Sequence, residues 1–250
     1  MSKRFEGSFR GSDQTELFFQ TWAGDASRGT IVITHGMSEH SDCYHPLAKQ
    51  LSSEGWQVFG WDLRGHGRSE GKRGYARHVS EFDHDLQAFL KVVDRERVNK
   101  TGPLILFGHS MGGLITLRML IELGCDGITA LVLSSPALGL AMAVPQWKEK
   151  ASTWINQFFP RLTLYNEIRY SDLTRDEEML KTYPTDPLRH DKVSPGVFLS
   201  LIESFGYVFD HADKITIPVL LQLAGDERIV STPESRRFFE LLKNKRNQMK

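Results

Sequence analysis

Leu104-Ile-Leu-Phe-Gly-His-Ser-Met-Gly-Gly113 is the stretch whose reading decides the fold. Four apolar residues in a row, Leu104 to Phe107, read as a buried parallel strand. The run from Leu114 through Leu123 reads as an apolar helix. Gly108-His109-Ser110-Met111-Gly112 therefore has the form G-x-S-x-G at a sharp strand-to-helix turn, the setting in which a serine is presented as a nucleophile. Glycine at 108 and 112 leaves room for a tightly turned backbone, so that Ser110 can hold a strained conformation with its hydroxyl above the sheet edge. The following helix aims the Met111 amide and the positive end of its dipole at charge developing on a bound oxygen.

Working upstream, Trp56-Gln-Val-Phe-Gly-Trp61 and Thr30-Ile-Val-Ile-Thr34 are two further short apolar strands. Between them Tyr44 to Glu54 reads as a helix, with Leu47 and Leu51 four apart and Gly55 at its end. Thr30–Thr34 runs into His35-Gly36-Met37-Ser38-Glu39-His40, and the Met37 amide is the candidate second donor to an oxyanion. His35, His40 and His45, with Asp42 and Cys43 between them, invite comparison with a metal cluster, but no Zn-type signature such as H-E-x-x-H is present. We expect no metal and no cofactor. Trp61 leads into Asp62-Leu-Arg-Gly-His-Gly-Arg-Ser69, a loop at the carboxyl end of its strand, where open α/β sheets bind ligands. Asp62 and Arg64 are expected to stiffen it. Leu17-Phe-Phe-Gln-Thr-Trp22 belongs to an N-terminal hairpin within residues 1–28, with Gly24-Asp25 as a turn. Ser80 to Arg97 is an amphipathic helix with Phe82, Leu86, Phe89, Leu90 and Val93 on one face, and Asp83, His84 and Asp85 read as helix-terminal charges.

Downstream, Ala130-Leu-Val-Leu-Ser-Ser135 continues the doubly wound pattern. From 138 to 209 the pattern breaks into helical stretches rich in Met, Trp, Phe and Leu, punctuated by Pro145, Pro160, Pro184, Pro187 and Pro195. An insertion of this size reads as a cap whose aromatics wall an apolar pocket, although any one of them, such as Trp147 or Phe158, is expected to pack as core. Pro218 to Ala224 returns to strand and ends at Gly225-Asp226. Asp226 is the candidate acid, in the order serine, aspartate, histidine. Thr232-Pro233-Glu234 starts a helix with Thr232 as cap.

Composition narrows the classes. The 250 residues carry 31 Lys plus Arg against 31 Asp plus Glu, so no global field favours nucleic acid. They are read as one domain, 1–250. Two cysteines, Cys43 and Cys125, cannot form a disulfide framework, and with the polar N-terminus they point to a cytoplasmic protein. Oligomeric state is not legible.

Taken together, His35-Gly-Met-Ser-Glu-His40, Asp62-Leu-Arg-Gly-His-Gly-Arg-Ser69, Gly108-His-Ser-Met-Gly-Gly113 and Gly225-Asp226 resemble the α/β-hydrolases of the monoacylglycerol lipase and lysophospholipase group. The resemblance implies a mostly parallel sheet with a helical cap inserted after the strand ending near Ser135. It implies Ser110 as nucleophile, Asp226 as acid, and Met37 and Met111 as oxyanion donors. The substrate class it implies is a small-molecule lipid ester, with transient membrane or micelle contact through the cap. One departure stands out: the histidine expected a few tens of residues after the aspartate is absent. His211 precedes the strand that Asp226 ends, and His190 lies in the cap. Gln248-Met-Lys250 reads as the onset of one more strand, and the reading is therefore of a chain lacking the C-terminal strand and helix that would follow, poor as a catalyst by itself, with Pro218–Ala224 left as an unpaired edge. A peptidase of the same fold, with Glu167, Arg169, Asp172 and Asp176 holding a peptide terminus, and a non-catalytic binding protein are the alternatives.

Overall fold

The computed structural model describes residues 3–142 and 144–250. A hairpin opens it, with β1 (Lys3–Arg10) antiparallel to β2 (Glu16–Ala23) and Phe9 opposite Leu17. The chain reverses over residues 11–15, where Gln14 sits at φ 68°, and not at Gly24-Asp25, which leads out of β2. β1 is an exposed edge strand in which charged and apolar residues are mixed, so its hydrophobic pattern is too weak to mark it as a strand.

Strand and helix then alternate: β3 (Gly29–Thr34), α1 (His45–Ser53), β4 (Trp56–Trp61), α2 (Ser80–Glu96), β5 (Leu104–His109), α3 (Met111–Leu123) and β6 (Ala130–Ser134). Between β6 and the next sheet strand lies an inserted segment. It contains α4 (Gln146–Phe158), a two-residue strand β7 (Leu164–Tyr165), α5 (Tyr170–Leu173), α6 (Glu177–Thr182), β8 (Lys192–Val193), paired with β7, and α7 (Pro195–Asp210). The chain returns through β9 (Val219–Gln222), α8 (Thr232–Leu241) and β10 (Gln248–Met249). The sheet has eight strands in the order β1-β2-β4-β3-β5-β6-β9-β10, parallel from β4 onward. β3 and β5 lie side by side, with Thr34 opposite Gly108. The loops leaving their carboxyl ends, 35–40 and 109–111, are therefore neighbours at the reversal point where such sheets bind ligands. α3 is apolar on nearly every side and buried from Met111 to Ile121, because it is covered by α2 and α7 as well as by the sheet.

Four expectations change. Asp83 and Asp85 are not terminal charges on a solvated helix: both are buried, Asp85 against Arg64 and Asp83 against Arg118. Trp147 and Phe158 are 66% and 56% exposed, not core, because α4 buries none of its residues and its apolar side faces solvent. The strand over 218–224 is not an unpaired edge, since Gln248 and Met249 of β10 pair with Leu220 and Leu221 of β9. Finally, the cap of α8 is Ser231, whose side chain accepts the Glu234 N–H, while Thr232 is already helical.

Candidate active site at the end of β5

β5 stops at His109, α3 starts at Met111, and Ser110 is the single residue of the turn, at φ 50° and ψ −120°. A non-glycine residue held there is strained, and it persists because the surroundings over-determine it. Its N–H donates to the Ser134 carbonyl at 3.0 Å, and its carbonyl accepts from Gly113 and Ala137 N–H, both at 3.0 Å. The elbow has no room for larger residues. A Cβ at Gly112 would lie 2.2 Å from the Thr34 carbonyl oxygen. The Met111 amide is the first of α3, and no preceding turn of the helix offers a carbonyl to accept from it.

The 35–40 loop approaches from β3. A Cβ at Gly36 would stand 3.2 Å from Ser110 Cβ and 3.3 Å from His109 Cδ2, so glycine permits the backbone leading to Met37 to lie against the serine. Met37 and Met111 line one narrow cavity with His66, Phe82, Val193 and Val197. A second cavity, on the other flank of Met37, is lined by Ser38, Asn166, Arg189 and His190. The loop is braced by Glu39, which played no part in the sequence reading: its Oε2 accepts the Gly36 N–H at 3.0 Å and the Tyr44 hydroxyl at 2.9 Å. Burial works to raise its carboxyl, yet the His109 and His35 imidazoles and these two donors hold it below the usual carboxylate range.

The 62–69 loop is held by its own charges. Asp62 accepts the Ser41 N–H at 2.7 Å and the Arg68 N–H at 2.8 Å. Arg64 is buried and contacts Asp85, Asp13 and Glu81. Nothing in the sequence marked the partners of Arg64, because they come from distant elements brought together only in the fold.

Among the described residues the candidate acid is not brought to a histidine. Asp226, in the loop after β9, is ion-paired with Arg175 of the inserted segment and with Arg228 at 3.2 Å. Their hydrogen bonds, Arg175 first, keep its carboxyl below the ordinary range. The imidazole hydrogen bonds run elsewhere than to Ser110. His35 receives the Leu63 N–H, His40 meets Asp186 at 2.8 Å, and His45 accepts from Trp22. His66 donates to the Arg64 carbonyl, His78 lies against Ser80, and His109 lies 3.2 Å from Ser134 Oγ. His190 accepts from Lys192 N–H and His211 donates to the Tyr207 carbonyl. His84 is exposed on α2. The grouping of His35, His40, His45, Asp42 and Cys43 that invited comparison with a metal cluster is thus divided among separate protein partners. Burial pushes the Cys43 thiol up to about 12.

Comparison with known proteins agrees with this architecture. The family model described as serine aminopeptidase, S33, matches residues 25–250. A monoacylglycerol lipase of Mycolicibacterium smegmatis is 30% identical over 94% of this chain and 83% of its own length. The phospholipase YtpA of Bacillus subtilis is 31% identical over 84% of this chain and 80% of its own. The crystal structure of a monoacylglycerol lipase from Paleococcus ferrophilus superposes with a TM-score of 0.81 at 30% identity, covering 99% of this chain and 87% of that one. A strand-elbow-helix serine on an eight-stranded, mostly parallel sheet and matches that span nearly the whole chain lead to one assignment: the protein belongs to the serine aminopeptidase S33 family of α/β-hydrolases, in its monoacylglycerol lipase group.

Proposed function

We propose that the protein cleaves carboxylic esters of lipids, monoacylglycerols or lysophospholipids, by two-step acyl transfer through Ser110. The observation that carries the reading is the strained Ser110 backbone at the start of α3, with Gly36 against its Cβ. The hydroxyl attacks the ester carbonyl, the Met37 and Met111 amides hold the oxyanion, and water releases the fatty acid from the acyl-enzyme. Asp226 is the acid that orients the imidazole serving as base. Among the described residues no histidine is hydrogen-bonded to Ser110 or Asp226, and turnover in this arrangement is proposed to be slow. The lipase and phospholipase relatives support the substrate class.

Residues 138–209 serve in this reading as the cap, and its exposed aromatics (Trp147, Trp154, Phe158 and Phe159) as a transient contact with micelles or membranes. No helix among the described residues is long and apolar enough to cross a membrane. The two unpaired cysteines support a reducing, cytoplasmic setting.

The family description keeps a peptidase as the second reading. Against it, three of the four cap charges named for that role are engaged within the protein: Glu167 pairs with Lys148, Asp172 with Arg228, and Asp176 caps α6. The deciding experiment is a panel of monoacylglycerol, lysophospholipid and aminoacyl esters, with fluorophosphonate labelling of the serine. Turnover confined to the lipid esters and labelling lost in Ser110→Ala support the proposal. Turnover confined to aminoacyl esters overturns it.

A further inference from the structure

Three buried polar atoms at the junction of cap and core have no hydrogen-bond partner among the described residues: His66 Nε2, His190 Nε2 and Arg73 Nη1. His66 and Arg73 come from the long loop after β4, and His190 from the cap. The two imidazole rings lie 4.4 Å apart, centroid to centroid. The Arg73 guanidinium, anchored by Nη2 on the Gly67 carbonyl at 2.7 Å, bears electrostatically on both.

The protonation of this seam can be worked out. Burial, followed by the neighbouring His190 and His35, holds His66 well below the usual imidazole range. Burial and then Arg73 bring His190 down to about 4. Both rings are therefore neutral at neutral pH. His66 Nδ1 lies 3.0 Å from the Arg64 carbonyl oxygen, which can only accept, so the proton sits on Nδ1 and Nε2 offers a lone pair. His190 Nδ1 accepts the Lys192 N–H at 3.1 Å, so its proton sits on Nε2. The seam offers one acceptor, His66, and two donors, His190 and Arg73. Leaving all three unmade is costly in a buried place.

An oxygen that accepts two hydrogen bonds and donates one satisfies the whole set. Water and an alcohol hydroxyl share that chemistry, whereas a carboxylate or a phosphodiester has no proton to give His66. Location favours the alcohol. His66 lines the cavity that holds Met37 and Met111, and His190 lines the cavity on the other flank of Met37, so an oxygen between them sits beside the loop facing Ser110. We propose that His66, His190 and Arg73 form a subsite for a free hydroxyl of the ester's alcohol portion, which selects glycerol-type esters over simple alkyl esters. The proposal rests on the lipid-ester reading above.

The test needs no turnover. Unreactive 1-O-dodecylglycerol and dodecyl methyl ether are titrated, below their micellar concentrations, into the 250-residue chain with tryptophan fluorescence as readout, and the glycerol ether complex is crystallised. The glycerol ether is expected to bind about tenfold more tightly, the worth of one or two buried hydrogen bonds. That preference is expected to fall to about one in His66→Phe and in His190→Phe, and to survive largely in His190→Gln, whose amide restores a donor. A ligand oxygen is expected between the two imidazoles. Circular dichroism checks folding, and should a Phe variant unfold, His190→Gln and the crystal structure decide. Equal affinity for the two ethers in the unaltered chain overturns the subsite alone. So does a preference that survives both Phe variants, or an ordered water in the seam with the ligand hydroxyls elsewhere. Failure of both ethers to bind overturns the lipid reading, and the subsite with it.

Discussion

Arg64 grips Asp85 with Nε 2.6 Å from Oδ2 and Nη2 2.8 Å from Oδ1, a forked pair buried between the 62–69 loop and α2. Removing Asp85 leaves the buried Arg64 with only the more exposed Asp13 and Glu81, so Asp85→Ala is expected to cost about 3 kcal/mol in urea unfolding. Arg10→Ala, which breaks an exposed pair with Glu16 and an exposed hydrogen bond to the Gln14 carbonyl, is expected to change stability by less than about 1 kcal/mol. Similar losses in the two variants would remove Arg64 as the anchor of that loop.

The elbow is equally specific in its demands. Gly112→Ala puts a methyl 2.2 Å from the Thr34 carbonyl oxygen, backbone that cannot withdraw without separating β3 from α3. Loss of about 3 kcal/mol or more, or failure to fold, is expected. Gly206→Ala, on α7 with open space around it, serves as the control and should be neutral or slightly stabilising. A stable Gly112→Ala with normal labelling of Ser110 would show that the close packing of the elbow is not needed.

Asp83 supplies a pH dependence. Its buried Oδ1 has no partner among the described residues, and burial raises its carboxyl to about 7 against the pull of Arg118. A raised carboxyl means that the folded state holds a proton the unfolded state has already released, so the stability it contributes is complete below about pH 4 and fades as pH rises toward 7. Asp83→Asn should remove this component from thermal unfolding midpoints measured between pH 5 and 7. A slope identical in both proteins would place the titration elsewhere.

In the proposed reaction the cap is expected to govern chain length. With an apolar acyl site, specificity constants should rise from acetyl to dodecanoyl esters, each buried methylene contributing up to about 0.8 kcal/mol. Trp147→Ser together with Trp154→Ser should weaken binding to phosphatidylcholine vesicles while leaving turnover of a dissolved short ester unchanged. Flat specificity would count against a lipid substrate.

Among the described residues no histidine is bonded to Ser110 or Asp226, and turnover of a short chromogenic ester tests what that implies. The protein is expected to show only the acceleration that oxyanion and binding contacts supply, about a thousandfold over water. A much larger rate that is lost in His109→Ala would make His109 the base.

What the sequence by itself determined is what local pattern encodes. Runs such as Leu104–Phe107 and Trp56–Trp61 are long enough and apolar enough to be buried strands, and glycines at 108 and 112 have few uses other than a tight turn. Order along the chain then placed Ser110 after one strand and Asp226 after a later one. The tertiary structure alone decided the rest. Asp83 and Asp85 look like ordinary helix charges until Arg118 and Arg64 arrive from distant elements to share their burial. Trp147 and Phe158 look like core until α4 is seen to leave both of them exposed. Gln248-Met249 reads as the start of a strand, but that it pairs with Leu220 and Leu221 and closes their edge is visible only in the fold. The pairing of His66 with His190, 124 positions apart in the chain, has no local signature either, because hydrogen-bond complementarity between cap and core exists only after both have folded.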